Sequence, residues 1–373
     1  MLLDAFFSRQ FLQAVAGHLL PAAFPFVLAL ATGLIATPLA MLLGARLGIV
    51  AWPGGRHIHA RPTPKVGGLA LFIAFAAAVL RYARDDPHAV PVLFLTGVCA
   101  VVFVFDDRFG LRPAFKIVLD LALALLATLA FGMVIGYVTL PVFGVVQLGL
   151  LAVPLSLFWL LGMMNTTNLL DGVDGLAAGV VAIVALVLGV AAASRGQTGV
   201  VLMSFALAGA CLGFLVFNFN PARIFMGDSG SHFLGLALGL LSILGVAKVA
   251  VVFALLVPVL ALAIPIADTA WAIVRRRRQG MSIAHPDSRH IHHQLLDFGF
   301  NQRQTCAIFY LATAILGCLG LMAFGHKRIL AVAIVLLLVG FSTLLGEWLQ
   351  SQPWRLPAPG LGRLLGAPAE QKA

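Results

Sequence analysis

Residues 176–193 read LAAGVVAIVALVLGVAAA, an unbroken run without a charge or a polar side chain. As a helix it would rise about 1.5 Å per residue, close to what is needed to cross the ~30 Å hydrocarbon layer of a bilayer. A helix on the surface of a soluble domain keeps a polar face, and this run has none. Working outward, the same pattern recurs. Spans are expected at 22–45, 66–80, 88–105, 114–133, 146–164, 176–193, 199–217, 231–246, 249–274, 305–324 and 328–350. Each approaches or exceeds the roughly 17 apolar residues that a membrane helix needs.

Composition agrees. Hydrophobic residues make up 61% of the 373-residue chain and charged residues 10%. Ordinary globular chains hold about 45–50% and about 25%. With a mean hydropathy of +1.04 there is too little polar side chain to cover a soluble globule. The expected fold is all-α, a polytopic membrane bundle of about ten or eleven helices. It occupies residues 1–350, with a short cytoplasmic tail over 351–373. Met1 to Leu20 carries Asp4 and Arg9 and no basic run ahead of a clean apolar stretch, so it reads as an interfacial lead-in. Cys99, Cys211, Cys306 and Cys318 lie far apart in or beside apolar runs and read as packing residues.

The net charge of +10 would suggest nucleic acid in a soluble protein; here it orients loops. If the spans alternate, Arg9, Arg81, Arg84, Arg195, Lys248, Lys327 and Arg328 fall on one side and the other 17 basic residues on the opposite side. The richer side is expected to be cytoplasmic, with the N-terminus outside and the C-terminus inside. Arg275 to Arg278 is an inside anchor that can also meet anionic lipid. On the outer side, Gly136 to Gly149 alternates around a proline and is expected to form a small hairpin.

The chemistry gathers on the inner side, in Arg56 to Gly68 (RHIHARPTPKVGG), Asp106 to Lys116 (DDRFGLRPAFK), Asn165 to Gly175 (NTTNLLDGVDG), Asn218 to Ser231 (NFNPARIFMGDSGS) and Arg275 to Gln304. Asp106, Asp107, Asp171, Asp174 and Asp228 stand at the mouths of spans, where carboxylates are costly and usually functional. Such oxygen ligands suit Mg²⁺ or Mn²⁺. Asn165, Asn168, Asp171 and Asp174 are spaced by three, as on one helix face. Met226 to Ser231 can open a helix whose free N–H groups face a phosphate. Lys65, Lys116 and Arg223 are candidate phosphate cations. His290, His292 and His293 lack a Cys or Glu to complete a zinc site and fit hydrogen bonding to phosphate or sugar better. Asp120 and Asp268, inside spans, read as polar pairings within the bundle. Together these loops suggest phosphoryl transfer between a soluble phosphate donor and a lipid acceptor.

The segments RPTPKVGGLA, DDRFGL, NLLDGVDGLAAG, NPARIFMGDSGS and HIHHQLL, in that order, resemble the polyprenyl-phosphate N-acetylhexosamine-1-phosphate transferases, the MraY-like family. The histidine segment is more similar to the branch that transfers GlcNAc-1-phosphate to undecaprenyl phosphate. The resemblance implies transfer from a UDP-N-acetylhexosamine to undecaprenyl phosphate, with release of UMP and a need for Mg²⁺. It implies a bacterial inner-membrane enzyme that starts an envelope polysaccharide and contacts membrane lipids, with a homodimer left open and no nucleic acid. Carried over, Asp228 matches the main metal ligand. Asp171 and Asp174, with Asn168, match the nucleotide- and metal-adjacent groups, and Asp106 and Asp107 match the pair beside the lipid phosphate. Lys65 and Lys116 stand where the family has cations, and His290, His292 and His293 match the loop shaping the sugar-nucleotide site. Asp120 stands where Gln is more usual and takes no role. Two rivals are a CDP-alcohol phosphotransferase, which would need Ala-Arg soon after Asp171-Gly172, and an ion-coupled transporter, which would hold its charges near the bilayer midplane.

Overall fold

The computed structural model describes residues 17, 19–52, 62–140, 144–193, 195–245 and 301–323. The expected spans 249–274 and 328–350, the histidine loop, Asp268, Arg275 to Arg278 and the tail lie outside the described residues.

Helices overlap the other nine expected spans, though the fifth, expected at 146–164, runs six residues later, at 152–170, because a strand and a 3₁₀ turn take up its first residues. In chain order these are α1 (Leu20–Arg46), α2 (Gly67–Tyr82), α3 (Ala89–Phe109), α4 (Pro113–Leu125), α5 (Ala152–Leu170), α6 (Leu176–Ala193), α7 (Thr198–Asn218), α8 (Gly227–Leu244) and α9 (Gln302–Ala323). A π-turn, Leu126–Ala130, extends α4, and a 3₁₀ turn, Gly149–Leu151, leads into α5. With those extensions, seven of the described helices are long and apolar enough to cross a membrane. The chain is a polytopic helical membrane protein. Ile35, Leu39, Leu42, Phe94, Phe105 and Phe158 are each more than half exposed, as a lipid-facing belt would be. All four cysteines are free and buried.

Two short antiparallel ribbons interrupt the helices. One pairs β1 (Val50–Ala51) with β2 (Thr63–Pro64). The other pairs β3 (Tyr137–Leu140) with β4 (Gly144–Gln147), which is the expected outer hairpin.

The connections expected to lie on the inner side are tighter than the sequence suggested. Asp106 to Lys116 is not one loop. Gly110, at φ +66°, ends α3, and Pro113 starts α4 in its first turn, the usual places for these residues. Asp106 and Asp107 therefore sit in the last turn of α3, and Lys116 in the first turns of α4. Likewise Asn165 and Asn168 belong to α5, and Asp171 follows its last residue. The expected eighth span starts at Gly227, which brings Asp228 into the first turn of α8.

Helix α8 runs through the middle of the bundle. All but two of its residues are buried, and it packs on α3, α5 and α2. The ends of α3, α5 and α7 and the starts of α2, α4, α6 and α8 meet at one end of the bundle, joined by the contacts described next.

Candidate active site

The segment before α2 docks first. Phe225 N–H donates to Pro64 O at 2.9 Å, and Gly67 and Gly68 N–H donate to Phe225 O and Met226 O, each at 3.0 Å. This zipper needs a residue without a side chain at 68: a Cβ there would lie 2.6 Å from Ser229 Oγ and still closer to the backbone of Ser229 and Gly230. It delivers the Lys65 ammonium to 3.2 Å from Asp107 Oδ1.

Asp107 lies under the start of α8. Its Oδ1 accepts from Asp228 N–H at 2.8 Å and its Oδ2 from Ser229 N–H at 3.0 Å. This corrects one expectation. The free N–H groups at this helix start do face an anion, but the anion is the protein's own carboxylate, so these two donors are not vacant for a phosphate. The N-cap residue, Met226, has no side chain able to serve.

Lys116 joins the remaining pair. Its Nζ is 2.6 Å from Asp106 Oδ2 and 2.6 Å from Asp228 Oδ2. The Asp106 side chain is fully buried, and its Oδ1 accepts from Leu111 N–H at 2.6 Å. Lys65, Asp106, Asp107, Lys116 and Asp228 thus form one ion-pair network drawn from four parts of the chain. Burial and the neighbouring Asp228 and Asp107 carboxylates hold the Asp171 carboxyl well above the usual carboxylate range. Burial opposes the charge on Lys65, yet the carboxylates of Asp107 and Asp228 raise its pKa.

Other expected site residues stand apart from this network. Asp174 Oδ2 accepts from Asn220 Nδ2 and Ala222 N–H, both at 3.1 Å, so that oxygen braces the α7–α8 connection. Arg223 is exposed, with its guanidinium over the Phe217 ring at 5.1 Å, and it makes no ion pair with the carboxylates among the described residues. Asn168 Oδ1 accepts from Ser231 Oγ at 3.1 Å, tying α5 to α8. Two residues escaped the sequence reading. Asn218, buried, accepts from Gly175 N–H and donates to Ile224 O. His232 sits one turn below Asp228. A histidine inside an apolar run was the available signal for the second.

The donors fit a hard divalent cation only in part. Among the described residues no three acidic, histidine or cysteine side chains are grouped to hold a metal ion. The expected set of Asp228, Asp171 and Asp174 does not close into a cage, because Lys116 occupies Asp228 Oδ2 and the α7–α8 connection occupies Asp174 Oδ2. The chemistry still suits Mg²⁺, which usually binds one or two carboxylates together with substrate phosphates. The three carboxylates of Asp106, Asp107 and Asp228 meet two ammonium groups, an excess of negative charge that a dication would offset.

A family model described as glycosyl transferase family 4 matches residues 89–246, the stretch that holds all of this network except Lys65. A relative in Bacillus subtilis, a probable undecaprenyl-phosphate N-acetylglucosaminyl 1-phosphate transferase, is 34% identical over 86% of this chain and 90% of its own length. The chain belongs to glycosyl transferase family 4. It is also similar to a decaprenyl-phosphate N-acetylglucosaminephosphotransferase of Mycolicibacterium smegmatis, with 37% identity over 78% of this chain and 77% of that protein. A phospho-N-acetylmuramoyl-pentapeptide-transferase of Synechococcus is 35% identical over 75% of this chain and 87% of that one.

Proposed function

We propose that the protein transfers an N-acetylhexosamine-1-phosphate, with GlcNAc as the default sugar, from its UDP-sugar to undecaprenyl phosphate. The observation that carries this reading is the network of Lys65, Asp106, Asp107, Lys116 and Asp228 at one end of a membrane bundle. That position lets a soluble nucleotide and a lipid phosphate meet at the membrane surface. It also weighs against a transporter, whose charges would sit near the midplane. The similar proteins from Bacillus and Mycolicibacterium, by their names, act on polyprenyl phosphates.

In the reaction, an oxygen of the lipid phosphate bonds to the sugar-bearing β-phosphorus. The bond from that phosphorus to the bridging oxygen breaks, and UMP leaves with the electron pair. A phosphate monoester is largely dianionic at neutral pH, so the acceptor needs positioning more than deprotonation. Lys65 and Lys116 are the cations placed to offset phosphate charge. Asp106 is poorly placed as a covalent nucleophile, since one oxygen takes the Leu111 N–H and the other faces Lys116. Mg²⁺, held by Asp228 with Asp171 nearby, would bind the pyrophosphate and stabilise charge on the leaving UMP. The setting is the cytoplasmic face of a bacterial inner membrane, with the N-terminus outside and the C-terminus inside, as the basic residues divide. The product would start an envelope polysaccharide.

The test is UMP release by the purified protein with undecaprenyl phosphate and a panel of UDP-sugars, with and without Mg²⁺. Release with one UDP-N-acetylhexosamine and not without the lipid supports the reading. No release with any donor in the panel overturns it.

A further inference from the structure

Below the ion-pair network, two ionisable side chains lie inside the bundle, and nothing in the proposed reaction uses them. Asp120, on α4, is fully buried, and His232, on α8, is 1% exposed. His232 Nε2 lies 3.5 Å from Asp120 Oδ2. The other ring nitrogen, Nδ1, lies 3.0 Å from the backbone carbonyl oxygen of Asp228. The ring itself stacks on Phe103, with centroids 4.0 Å apart and planes at 16°. Asp120 Oδ2 also accepts from Asn165 Nδ2 at 3.4 Å, while Asp120 Oδ1 has no hydrogen-bond partner among the described residues.

Donor and acceptor chemistry constrains this arrangement. A carbonyl oxygen only accepts, so Nδ1 carries a hydrogen. In a neutral ring Nε2 is then an acceptor, and it faces a carboxylate that is also an acceptor when ionised. One proton in the Asp120–His232 contact, on either partner, satisfies both.

The peptide groups on the two sides of Asp228 are therefore both held by side chains. Its N–H donates to Asp107, and its carbonyl accepts from His232 and, at 3.4 Å, from Ser231 Oγ. The unpaired Asp120 oxygen and the stacked Phe103 leave the ring with one orientation that serves both ends.

We propose that Asp120 and His232 are a positioning pair for Asp228. Asp120 orients the imidazole, and the imidazole fixes the turn of α8 that aims the Asp228 carboxylate into the site. Neither residue touches the reacting atoms. The inference rests on the reading of Asp228 as an active-site carboxylate, because a displacement of about 1 Å at such a group can cost about 10²-fold in rate.

The test uses the full-length protein in lipid nanodiscs, with Asp120→Leu, His232→Leu and Asp120→Asn. Asn is the informative conservative change: its amide N–H supplies the same hydrogen to Nε2, leaving Nδ1–H for Asp228. Hydrogen exchange of residues 227–232, without substrate, should quicken about tenfold or more in both leucine variants and return close to wild type with Asn. In UMP release, the leucine variants should lose about 10² in kcat with KM for the UDP-sugar within a few-fold. Folded leucine variants with wild-type exchange in this segment overturn the proposal. Should they not fold, His232→Asn, which keeps a donor near the Nδ1 position, should protect the segment better than His232→Gln; equal exchange overturns it. If the wild type releases no UMP, the functional reading fails, while the exchange data still decide the role of the pair.

Discussion

Asp107 accepts the N–H groups of Asp228 and Ser229, the second and third residues of α8, from a position 121 residues before Asp228 in the chain. A cap normally comes from the residue just before the helix; this one comes from the end of α3 and carries a full charge. Asp107→Ala should therefore destabilise the protein by about 1–2 kcal/mol. It would also leave Lys65 without its 3.2 Å partner. Asp107→Asn keeps one acceptor oxygen and should fall between the two. Thermal unfolding in detergent reads the difference, and a midpoint for Asp107→Ala equal to wild type would remove the capping role.

Gly227 makes that cap fit. Its φ of +71° is one that L side chains rarely adopt, and a Cβ there would lie 2.5 Å from Asp107 Oδ2 and 2.6 Å from Oδ1. Gly227→Ala should cost about 1–3 kcal/mol from the backbone alone, with the displaced carboxylate adding to it. Because part of the cost is that collision, Gly227→Ala combined with Asp107→Ala should be less destabilising than the sum of the singles. Simple additivity in unfolding measurements would show that the two sites do not meet.

Lys116 compensates two carboxylates at once, one of them fully buried. Lys116→Met strands the Asp106 charge, and breaking such a pair typically costs about 3–5 kcal/mol. Adding Asp106→Leu should recover part of that loss, since the fully buried charge is then gone and only the partly exposed Asp228 lacks its cation. Lys116→Arg should fold and yet turn over slowly, because a planar guanidinium cannot place one nitrogen 2.6 Å from both oxygens in the way an ammonium does. Unfolding midpoints give the first two comparisons and UMP release the third. Recovery absent from the double variant would mean that the two residues are not energetically coupled.

The helices were legible because a bilayer demands long apolar runs, and a soluble fold has no use for so many of them in one chain. The hairpin of β3 and β4 was legible from its alternation and proline. The acidic and basic residues could be named, but not their pairings. The two carboxylates of DDRFGL look equivalent in sequence, yet Asp106 faces Lys116 while Asp107 caps α8, a division set by which side of α3 meets α8. The reach of α3 to Phe109 was readable from Gly110 and Pro113, whose punctuation outweighs the polar character of the residues between 106 and 112. Asp120 was visible as a charge needing a partner, but naming His232 required the register of α4 against α8, which no local pattern encodes.

Asp228 carries the sharpest expectation. It combines a carboxylate at the mouth of the bundle, a backbone held at both its N–H and its carbonyl, and contact with Lys116. Asn keeps the size and can still accept from Lys116, whose charge would remain paired with Asp106. Asp228→Asn should therefore insert and unfold close to wild type. It removes the charge that would hold Mg²⁺ against the pyrophosphate, however. Losing one preorganised stabiliser of transition-state charge typically costs about 10²–10³ in rate, and a weakened metal site should cost at least that. UMP release should fall accordingly, with excess Mg²⁺ restoring only part of it. The wild type should lose activity with a chelator and regain it on adding Mg²⁺. Folded Asp228→Asn protein with near-normal turnover at low Mg²⁺ would sink the assignment and shift attention to Asp171, the nearby carboxyl that Asp228 and Asp107 already crowd.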